Sequence, residues 1–355
     1  MSHLGLRMIV RYLFINEKVQ PVTGTMKSLM GNYGLEFFAA VVIFILIASY
    51  ATTNYYTLSP SYEHIRGECT PGDAAAKASA IIPKYSRNHS IFLQLSDYFW
   101  AQNFSLYSLP FGTNKNEELI MQALALTNHY DLPLEIDRLP CRRCVVVGNG
   151  YRMKNSSLGE IIDKYDVVMR LNNAPVHKYE KDVGSKTTLR LFYPESAHFN
   201  LILDNNPETL MVLVPFKSLD LKWLITILKD EKRIIKGFWK KPPLIWNVRH
   251  ENIRILNPYF MMFAATALLD YRKPKKTWTK PTTGMIAISF AIHFCDQVHI
   301  AGFGYPSPSK KRQPIHYYDK GTLKFMETSG HKIPLEAIAI KNLIQHNVIH
   351  NLTYF

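Results

Sequence analysis

The stretch CRRCVVVGNG, residues 141–150, places two closely spaced cysteines before an apolar run that ends in glycines. Such a stretch suits a metal knuckle, a redox pair, or a buried strand that turns into a ligand-binding loop. A zinc knuckle needs four ligands, whereas Cys69 and Cys295 stand alone without a partner at metal spacing. A redox pair needs free thiols, but the other cysteines allow Cys141 and Cys144 to form structural bridges. We therefore expect structural cysteines and a buried strand.

Similar apolar runs recur along the chain and alternate with helical patterns. Near-continuous Val and Leu runs are typical of parallel strands that are covered on both faces. Further predicted strands are DVVMRLNN, TTLRLFYP, LMVLVPF and VHIAGFG, and predicted helices are SSLGEIIDKY, LDLKWLITILKD and GMIAISFAIHFC. The pattern predicts an α/β fold with a mostly parallel, twisted sheet flanked by helices.

Polar residues follow the first two predicted strands. Asn149 and Asn172 lie at strand ends, where open α/β sheets bind ligands, although both residues also suit simple turns. Gly148 and Gly150 would let backbone amides approach a ligand closely. A dinucleotide fingerprint would need a third glycine at the position of Met153, so that motif is absent.

Two further segments could carry chemistry. PTTG, residues 281–284, offers hydroxyls and backbone N–H groups at a helix start, which suits either a bound phosphate or an ordinary N-cap. HYYD, residues 316–319, and the pair His331 and Glu336 follow a loop rich in Pro, Ser and Lys. The sequence contains no HExxH, no nucleophile elbow and no Asp-x-Asp pair that would hold a metal-bound nucleotide diphosphate.

The composition is that of a globular chain with a basic surplus. The 355 residues are 47% apolar, with 42 Lys plus Arg against 28 Asp plus Glu, a formal net charge of +14. This surplus favours an anionic partner, such as a membrane surface or a substrate that carries phosphate or carboxylate. The basic residues are scattered and no nucleic-acid motif is present, so we do not expect a nucleic-acid partner.

The N-terminal region has the pattern of a membrane anchor. Residues 37–51 carry no charge, and residues 35–53 form a nearly complete apolar span. A cleaved signal peptide is the alternative, but the run starts late and no clear cleavage pattern follows it. Basic residues before the run predict a cytosolic tail (1–34), a signal-anchor (35–53), a stem (54–82) and one lumenal domain (83–355). The chain is thus expected to be a single-pass type II membrane protein.

Lumenal placement is consistent with two further features. All four cysteines would lie in an oxidising compartment, where two disulfides can form with three possible connectivities. Sites for N-glycosylation occur at Asn88, Asn103, Asn155 and Asn351.

Taken together, the motifs resemble the sialyltransferases of the animal Golgi. Residues 141–195 resemble the large sialylmotif of that family, and residues 281–305 resemble the small one. HYYD resembles the third motif, and His331 with Glu336 resembles the very small motif. The order of the motifs matches the family, and the similarity extends over residues 83–355, with the β-galactoside α2,3-sialyltransferases most similar.

The resemblance implies a fold, a donor and an absence of metal. The implied fold is a metal-independent, GT-A-like (Rossmann-like) glycosyltransferase variant, and the donor is CMP-N-acetylneuraminic acid (CMP-sialic acid). It implies the disulfides Cys144–Cys295 and Cys69–Cys141. Donor-binding positions would be Asn149, Asn172, Thr282, Thr283, Gly284, Gly304 and His316. Arg152 departs from relatives that carry a donor-contacting Asn.

The resemblance also assigns roles in catalysis. His331 would be the general base that takes the proton of an acceptor hydroxyl, because histidine has an ordinary pKa near neutrality. His316 would contact the phosphate of the departing CMP together with the PTTG helix start. Glu336 would either orient His331 or cap the helix that it opens. The reaction would be a direct, inverting displacement without an enzyme nucleophile.

The implied acceptors are β-galactoside-terminated glycans of glycoproteins and glycolipids, at the Golgi membrane. The linkage to the 3-hydroxyl of galactose rests on the resemblance alone, and a homo-oligomer stays possible. Two other classes of function are a lumenal lectin-like binding protein and an oxidoreductase that uses CRRC. A lectin would not need His331 for binding, and an oxidoreductase would keep a free thiol pair.

Overall fold

A computed structural model of the chain describes residues 37–50, 68–99, 105–270, 279–306, 309, 312–324 and 330–353. The strands are β1 (Arg143–Val147), β2 (Val167–Leu171), β3 (Leu189–Phe192), β4 (Leu210–Leu213), β5 (Ile253–Ile255), β6 (Gln297–Ala301) and β7 (His350–Asn351). The helices described after residue 67 include α1 (Asp73–Ile81), α2 (Ser96–Phe99), α3 (Glu117–Thr127), α4 (Leu134–Asp137), α5 (Gly159–Ile162), α6 (Glu180–Val183), α7 (Ser218–Leu228), α8 (Tyr259–Phe263), α9 (Thr283–Phe294) and α10 (Ile333–Gln345). Short 3₁₀ turns lie at Tyr151–Met153, Pro194–Ser196 and His250–Asn252, and a π-helical turn, Ala264–Leu268, follows α8.

The strands form one seven-stranded sheet in the order β5-β4-β3-β2-β1-β6-β7. Every neighbouring pair is parallel. All residues of β2, β3 and β4 are buried, as expected for parallel strands that are covered on both faces. The predicted parallel α/β sheet with flanking helices is therefore confirmed.

The side chains of β1 alternate between two layers of the core. Cys144 and Val146 belong to a cluster that includes much of α9 and the buried face of α10. Val145 and Val147 belong to a cluster on the opposite side, together with Ile162 of α5. A third cluster packs α3 and α7 against the end of the sheet formed by β3, β4 and β5. Helices therefore cover both faces of the sheet.

The chain reverses its direction of winding next to β1. It passes from β1 through β2, β3 and β4 to β5 on one side, and later places β6 on the other side of β1. In open α/β sheets, ligands bind in the crevice at the carboxyl ends of the strands where the order reverses. The loops after β1 and β6 therefore border the expected ligand crevice.

Helix α9 is the buried helix that the sequence predicts after PTTG. The Thr282 side chain caps it and accepts a hydrogen bond from the backbone N–H of Met285 at 3.3 Å. Residues 285–294 are all buried, because the helix packs under the sheet next to β1, β2 and β6. An apolar helix of this kind fixes its own N-terminus at the ligand edge of the sheet.

Residues before the expected domain start at residue 83 also pack into the core. Helix α1 starts at Asp73, and its residues Ala74 and Ala78 are fully enclosed in the cluster that contains α9. The backbone N–H of Gly72 also donates to the carboxylate of Asp296, 2.8 Å away. Small alanines allow this close packing, although the same composition had indicated an unpacked stem. The folded domain therefore includes residues that the sequence assigned to the stem.

The disulfides implied by the family resemblance are confirmed. Cys69 pairs with Cys141 and Cys144 pairs with Cys295, each with Cα atoms 6.0 Å apart. All four cysteines are thus used, and none is free. This pairing excludes a redox site or a zinc knuckle at CRRC, since the thiolates that either would need are consumed.

The N-terminal unit is described only in part. Residues 37–50 are helical. Among the described residues, no helix combines the length and the apolar character needed to cross a membrane. The expected tail (1–34), both ends of the expected anchor (35–53), residues 54–67 and Asn103 lie outside the described residues.

Candidate functional site

A cavity of about 670 Å³ opens at the carboxyl edge of the sheet. Its walls come from the loops after β1, β2, β3 and β6, from the start of α9, and from the start of α10. The predicted site residues Asn149, Asn172, Thr282, Thr283, Gly284, Gly304, His316, His331 and Glu336 all line it. The structure therefore brings together residues that are spread over almost 190 positions of sequence.

Asn149 and Asn172 present unused amide oxygens at this edge. Asn149 Oδ1 and Asn172 Oδ1 are buried, and neither has a hydrogen-bond partner within the described part of the chain. Asn149 Nδ2 donates weakly to the Tyr318 hydroxyl at 3.4 Å. Asn172 also has a left-handed backbone, with φ of 55°, as expected of a turn former. Because unpaired buried oxygens are costly, both amides are suited to accept hydrogen bonds from a bound ligand.

The backbone amides of the glycines after β1 are not available to a ligand, contrary to expectation. The Gly148 N–H donates to the Ala301 carbonyl at 2.7 Å, and the Gly150 N–H donates to the Gly302 carbonyl at 2.9 Å. A Cβ atom at Gly148 would lie 2.8 Å from the Gly302 carbonyl oxygen. These glycines are needed because the loops after β1 and β6 run in close contact.

The loop after β2 is held by a buried arginine. Arg190 of β3 is completely buried, and its Nη1 donates to the carbonyls of Asn172 and Ala174 at 2.9 and 3.0 Å. Its Nε donates to Asn205 Oδ1 at 2.6 Å. Burial lowers the pKa of Arg190 to about 10, so the guanidinium stays charged near neutral pH. The resulting network fixes the backbone that carries the Asn172 amide.

Glu336 binds the start of α9, a contact that its motif did not indicate. Its carboxylate accepts from the Thr282 N–H at 2.8 Å and from the Thr282 hydroxyl at 2.6 Å. Glu336 lies in the first turn of α10. Burial raises the pKa of Glu336 to about 7, although the hydrogen bonds from Thr282 oppose this shift. Glu336 therefore ties the first turn of α10 to the PTTG segment.

His331 lies beside the same segment and is half-buried. Its Nδ1 donates to the Lys280 carbonyl at 2.8 Å, because a carbonyl can only accept. A neutral imidazole with a proton on Nδ1 carries its basic lone pair on Nε2. Burial lowers the pKa of His331, and this shift favours the neutral form that a general base requires.

His316 is positioned by its own motif. Its Nδ1 donates to Asp319 Oδ2 at 2.7 Å, and its ring stacks on the ring of Tyr318 with centroids 5.2 Å apart. The backbone of the motif pairs with the loop after β1, since the Tyr317 N–H donates to the Asn149 carbonyl. His316 is thus fixed to the loop that carries Asn149.

The remaining sequence predictions for the site have mixed outcomes. Gly304 lines the cavity and has a φ of 100°, which favours glycine. The exposed Arg152 side chain is not part of the lining. Among the described residues, no group of three His, Cys, Asp or Glu side chains is placed to hold a metal ion. The metal-free reaction stays a prediction.

Sequence reasoning missed one wall of the cavity. Tyr193, Glu195 and Ser196 follow β3, and Trp239 with Lys240 comes from the connection between α7 and β5. The strand-end argument that selected Asn149 and Asn172 would also have selected the residues after β3. No motif indicates Trp239, which only the folded structure places at the cavity.

Comparison with known proteins agrees with this geometry. Residues 92–348 match glycosyltransferase family 29 (sialyltransferase). The chain is 58% identical to rat CMP-N-acetylneuraminate-beta-galactosamide-alpha-2,3-sialyltransferase 4 over 289 residues, which are 81% of this chain and 86% of the relative. The human protein of the same name is 57% identical over 81% of this chain and 86% of the relative. Human type 2 lactosamine alpha-2,3-sialyltransferase is 39% identical over 85% of this chain and 92% of the relative.

Solved structures show the same fold. A crystal structure of a mammalian sialyltransferase in complex with Gal-beta-1-3GalNAc-ortho-nitrophenol matches with a TM-score of 0.61 and 28% identity, over 77% of this chain and 93% of that one. A further crystal structure of a mammalian sialyltransferase matches with a TM-score of 0.63 and 27% identity, over 81% and 99% of the two chains. The family, the motifs and the cavity agree, and the chain belongs to glycosyltransferase family 29, the sialyltransferases.

Proposed function

We propose that this chain is a β-galactoside α2,3-sialyltransferase that transfers sialic acid from CMP-sialic acid to the 3-hydroxyl of terminal β-galactose. The observation that carries the proposal is the identity of 56–58% to rat, mouse, human and chimpanzee enzymes named as alpha-2,3-sialyltransferase 4. The cavity supports it, because all the motif residues that the family resemblance assigns to the donor converge there.

The donor would occupy the crevice between the loops after β1, β2 and β6. Asn149 Oδ1 and Asn172 Oδ1 can accept hydrogen bonds from hydroxyl or amino groups of the nucleoside. The start of α9, with Thr283 and Gly284, provides the positive end of a helix dipole for the phosphate. The donor's anionic and polar parts would thus meet groups of matching chemistry.

His331 would act as the general base. The acceptor hydroxyl loses its proton to Nε2 of His331 while its oxygen attacks the anomeric carbon of the sialic acid. The bond from that carbon to the phosphate oxygen breaks, and CMP leaves with the bonding electrons. The anomeric configuration inverts in this single displacement, so the β-linked donor gives an α-linked product and no enzyme nucleophile is required.

His316 would bind the phosphate that departs. Asp319 accepts from Nδ1 of His316 and fixes the ring, so the imidazolium form, which also carries a proton on Nε2, can donate from Nε2 to an anionic oxygen. A hydrogen bond from this group and from the helix start would stabilise charge on the leaving phosphate. These groups could supply leaving-group stabilisation without a metal ion.

We further propose that the enzyme is anchored in the Golgi membrane by residues 35–53, with the catalytic domain in the lumen. The uncharged run over residues 37–51 and the basic residues before it support this topology. The acceptors would be β-galactoside-terminated glycans of glycoproteins and glycolipids.

Incubation of the enzyme with CMP-sialic acid and a panel of galactosides tests the proposed reaction. We expect release of CMP together with a sialoside whose linkage, determined by NMR, is α2,3. A 2,6-linked product would contradict the proposed linkage. Binding of galactosides without any transfer would instead indicate a lectin-like function.

A further inference from the structure

Trp239 is exposed at the mouth of the cavity. Its side chain is 66% exposed, whereas Trp223 and Trp246 are 1% and 6% exposed in the core. An exposed indole contributes little to folding stability, and an apolar surface at a cavity mouth commonly serves a ligand. Trp239 is also one of the residues that line the cavity.

The segment that carries Trp239 is firmly anchored. Phe238 packs against the cluster around Trp223, and the Lys217 ammonium lies 4.8 Å from the centre of its ring. The Trp223 Nε1–H donates to the Pro243 carbonyl, and His198 Nε2 donates to the Lys241 carbonyl at 2.7 Å. The backbone around Trp239 is therefore fixed by the packing of the residue before it and by hydrogen bonds to the residues after it.

The same contacts place Trp239 next to the loop after β3. Lys217 also binds the buried carboxylate of Glu195, with Nζ 2.6 Å from Oε1, and Glu195 follows β3. Strand β3 is two strands from β1, or about 10 Å at the usual strand spacing. The wall formed by Glu195, Ser196 and Trp239 therefore lies beyond the loop after β2, on the side opposite to the loops after β1 and β6.

We propose that Trp239 is a specificity-determining residue that stacks on the galactose ring of the acceptor. This inference rests on the proposed transferase function. Galactose has an axial hydroxyl that leaves one face of the ring with exposed C–H groups. The negative face of an indole attracts such groups, and a rigid aromatic side chain loses little entropy on binding.

Steady-state kinetics with N-acetyllactosamine as acceptor tests this proposal. For Trp239→Ala we expect the KM for the acceptor to rise about tenfold, the size of effect typical of losing one aromatic stacking contact. We expect the KM for CMP-sialic acid to change much less. Trp239→Phe keeps an aromatic ring and should recover part of the loss.

The matched control is Ile245→Ala, in the same connection and 75% exposed but outside the cavity lining. It should leave both KM values unchanged, and thermal unfolding should show that all variants are folded. An unchanged acceptor KM in Trp239→Ala, or an equal rise in the donor KM, would overturn the proposal. Failure of the unmodified enzyme to sialylate any galactoside would refute the proposed function instead.

Discussion

At the level of single residues, the contacts of Glu336 could not be predicted from its motif. The sequence places Glu336 five positions after His331, which suggests a local role. In the fold its carboxylate binds Thr282, 54 positions earlier. Sequence spacing reports only neighbours within one helix or strand, so a contact between two helix starts cannot be obtained from it.

Replacing His331 by Ala should lower kcat by about 10²- to 10⁴-fold, the range typical of losing a general base. His346→Ala is the matched control, because His346 is an exposed histidine at the C-terminal end of α10 and outside the cavity lining. Donor binding, measured by calorimetry, should persist in His331→Ala. Normal turnover in this variant would exclude His331 as the base.

The pH profile of kcat provides an independent check on His331. Burial lowers the pKa of His331 below the ordinary 6.5, so the imidazole stays neutral as the pH falls to that value. Activity should therefore persist at pH 6.5 and decline only at lower pH, when Nε2 becomes protonated. A decline that begins above pH 7 would contradict the assignment.

Glu336→Gln should raise the KM for CMP-sialic acid several-fold. The glutamine amide has one oxygen in place of the two carboxylate oxygens that accept hydrogen bonds from Thr282. One of these bonds is lost, so the start of α9 is held less firmly. Glu160→Gln, in the first turn of α5 and exposed, is the control. Glu336→Gln should keep more activity than His331→Ala. An unchanged donor KM would show that the contact does not position the donor site.

Glu336→Gln should also change how the free energy of unfolding depends on pH. The pKa of Glu336 is raised to about 7 in the fold, above its ordinary 4.5, so the native state binds the proton more tightly than the unfolded state. The contribution of Glu336 to stability is then fully present below pH 4.5 and is lost as the pH rises through about 7. Denaturant unfolding should show this loss in the unmodified protein and not in Glu336→Gln.

The glycosylation sites differ in their surroundings. Asn88 and Asn155 are exposed, whereas Asn351 Oδ1 accepts from the hydroxyl and the N–H of Thr353, the buried threonine of the same site. The Gly302 N–H in turn donates to that threonine hydroxyl. Glycopeptide mass spectrometry should find glycans at Asn88 and Asn155 and none at Asn351. Full occupancy at Asn351 would contradict this expectation.

At the level of helices and strands, the sequence predicted those elements whose pattern is local. Strands β1, β2, β3, β4 and β6 and helices α7 and α9 were predicted because their apolar runs are long and bounded by turn residues. The strands β5 and β7 have only three and two residues, too short for any periodicity. The alanine-rich α1 was missed because its burial depends on α9, which is distant in sequence.

The disulfide between β1 and the end of α9 should be important for stability. The double variant Cys144→Ser/Cys295→Ser opens a loop of 151 residues, for which the chain-entropy model gives about 5 kcal/mol. The matched control, Cys69→Ser/Cys141→Ser, opens a loop of 72 residues away from the core strands. Denaturant midpoints should fall further for the first variant. A larger loss in the control would refute this ranking.

At the level of the whole molecule, the basic surplus is not concentrated at the candidate site. Lys240 is the one lysine or arginine among the described lining residues, whereas the same lining includes three acidic residues, Glu195, Asp319 and Glu336. The formal charge of +14 therefore does not mark the donor crevice, although it suggested an anionic substrate. Recognition of CMP-sialic acid would depend on amides, histidines and a helix start instead.

Treatment with EDTA should leave transfer unchanged, since the leaving phosphate would be stabilised by His316 and the start of α9. The measurement is the initial rate with and without the chelator, and a bacterial or animal glycosyltransferase with an Asp-x-Asp pair serves as the positive control. Loss of activity that added Mn²⁺ restores would refute the metal-free mechanism.

The order of the cysteines along the chain has a consequence for biosynthesis. Cys69 and Cys141 are synthesised early, but Cys144 cannot form its native disulfide until Cys295 has been synthesised, 151 residues later. At about 5–20 residues per second, that delay is roughly 8–30 s. During it, the thiol of Cys144 can compete with neighbouring Cys141 for Cys69. Efficient production of this enzyme should therefore depend on a disulfide isomerase that exchanges such early mispaired bonds.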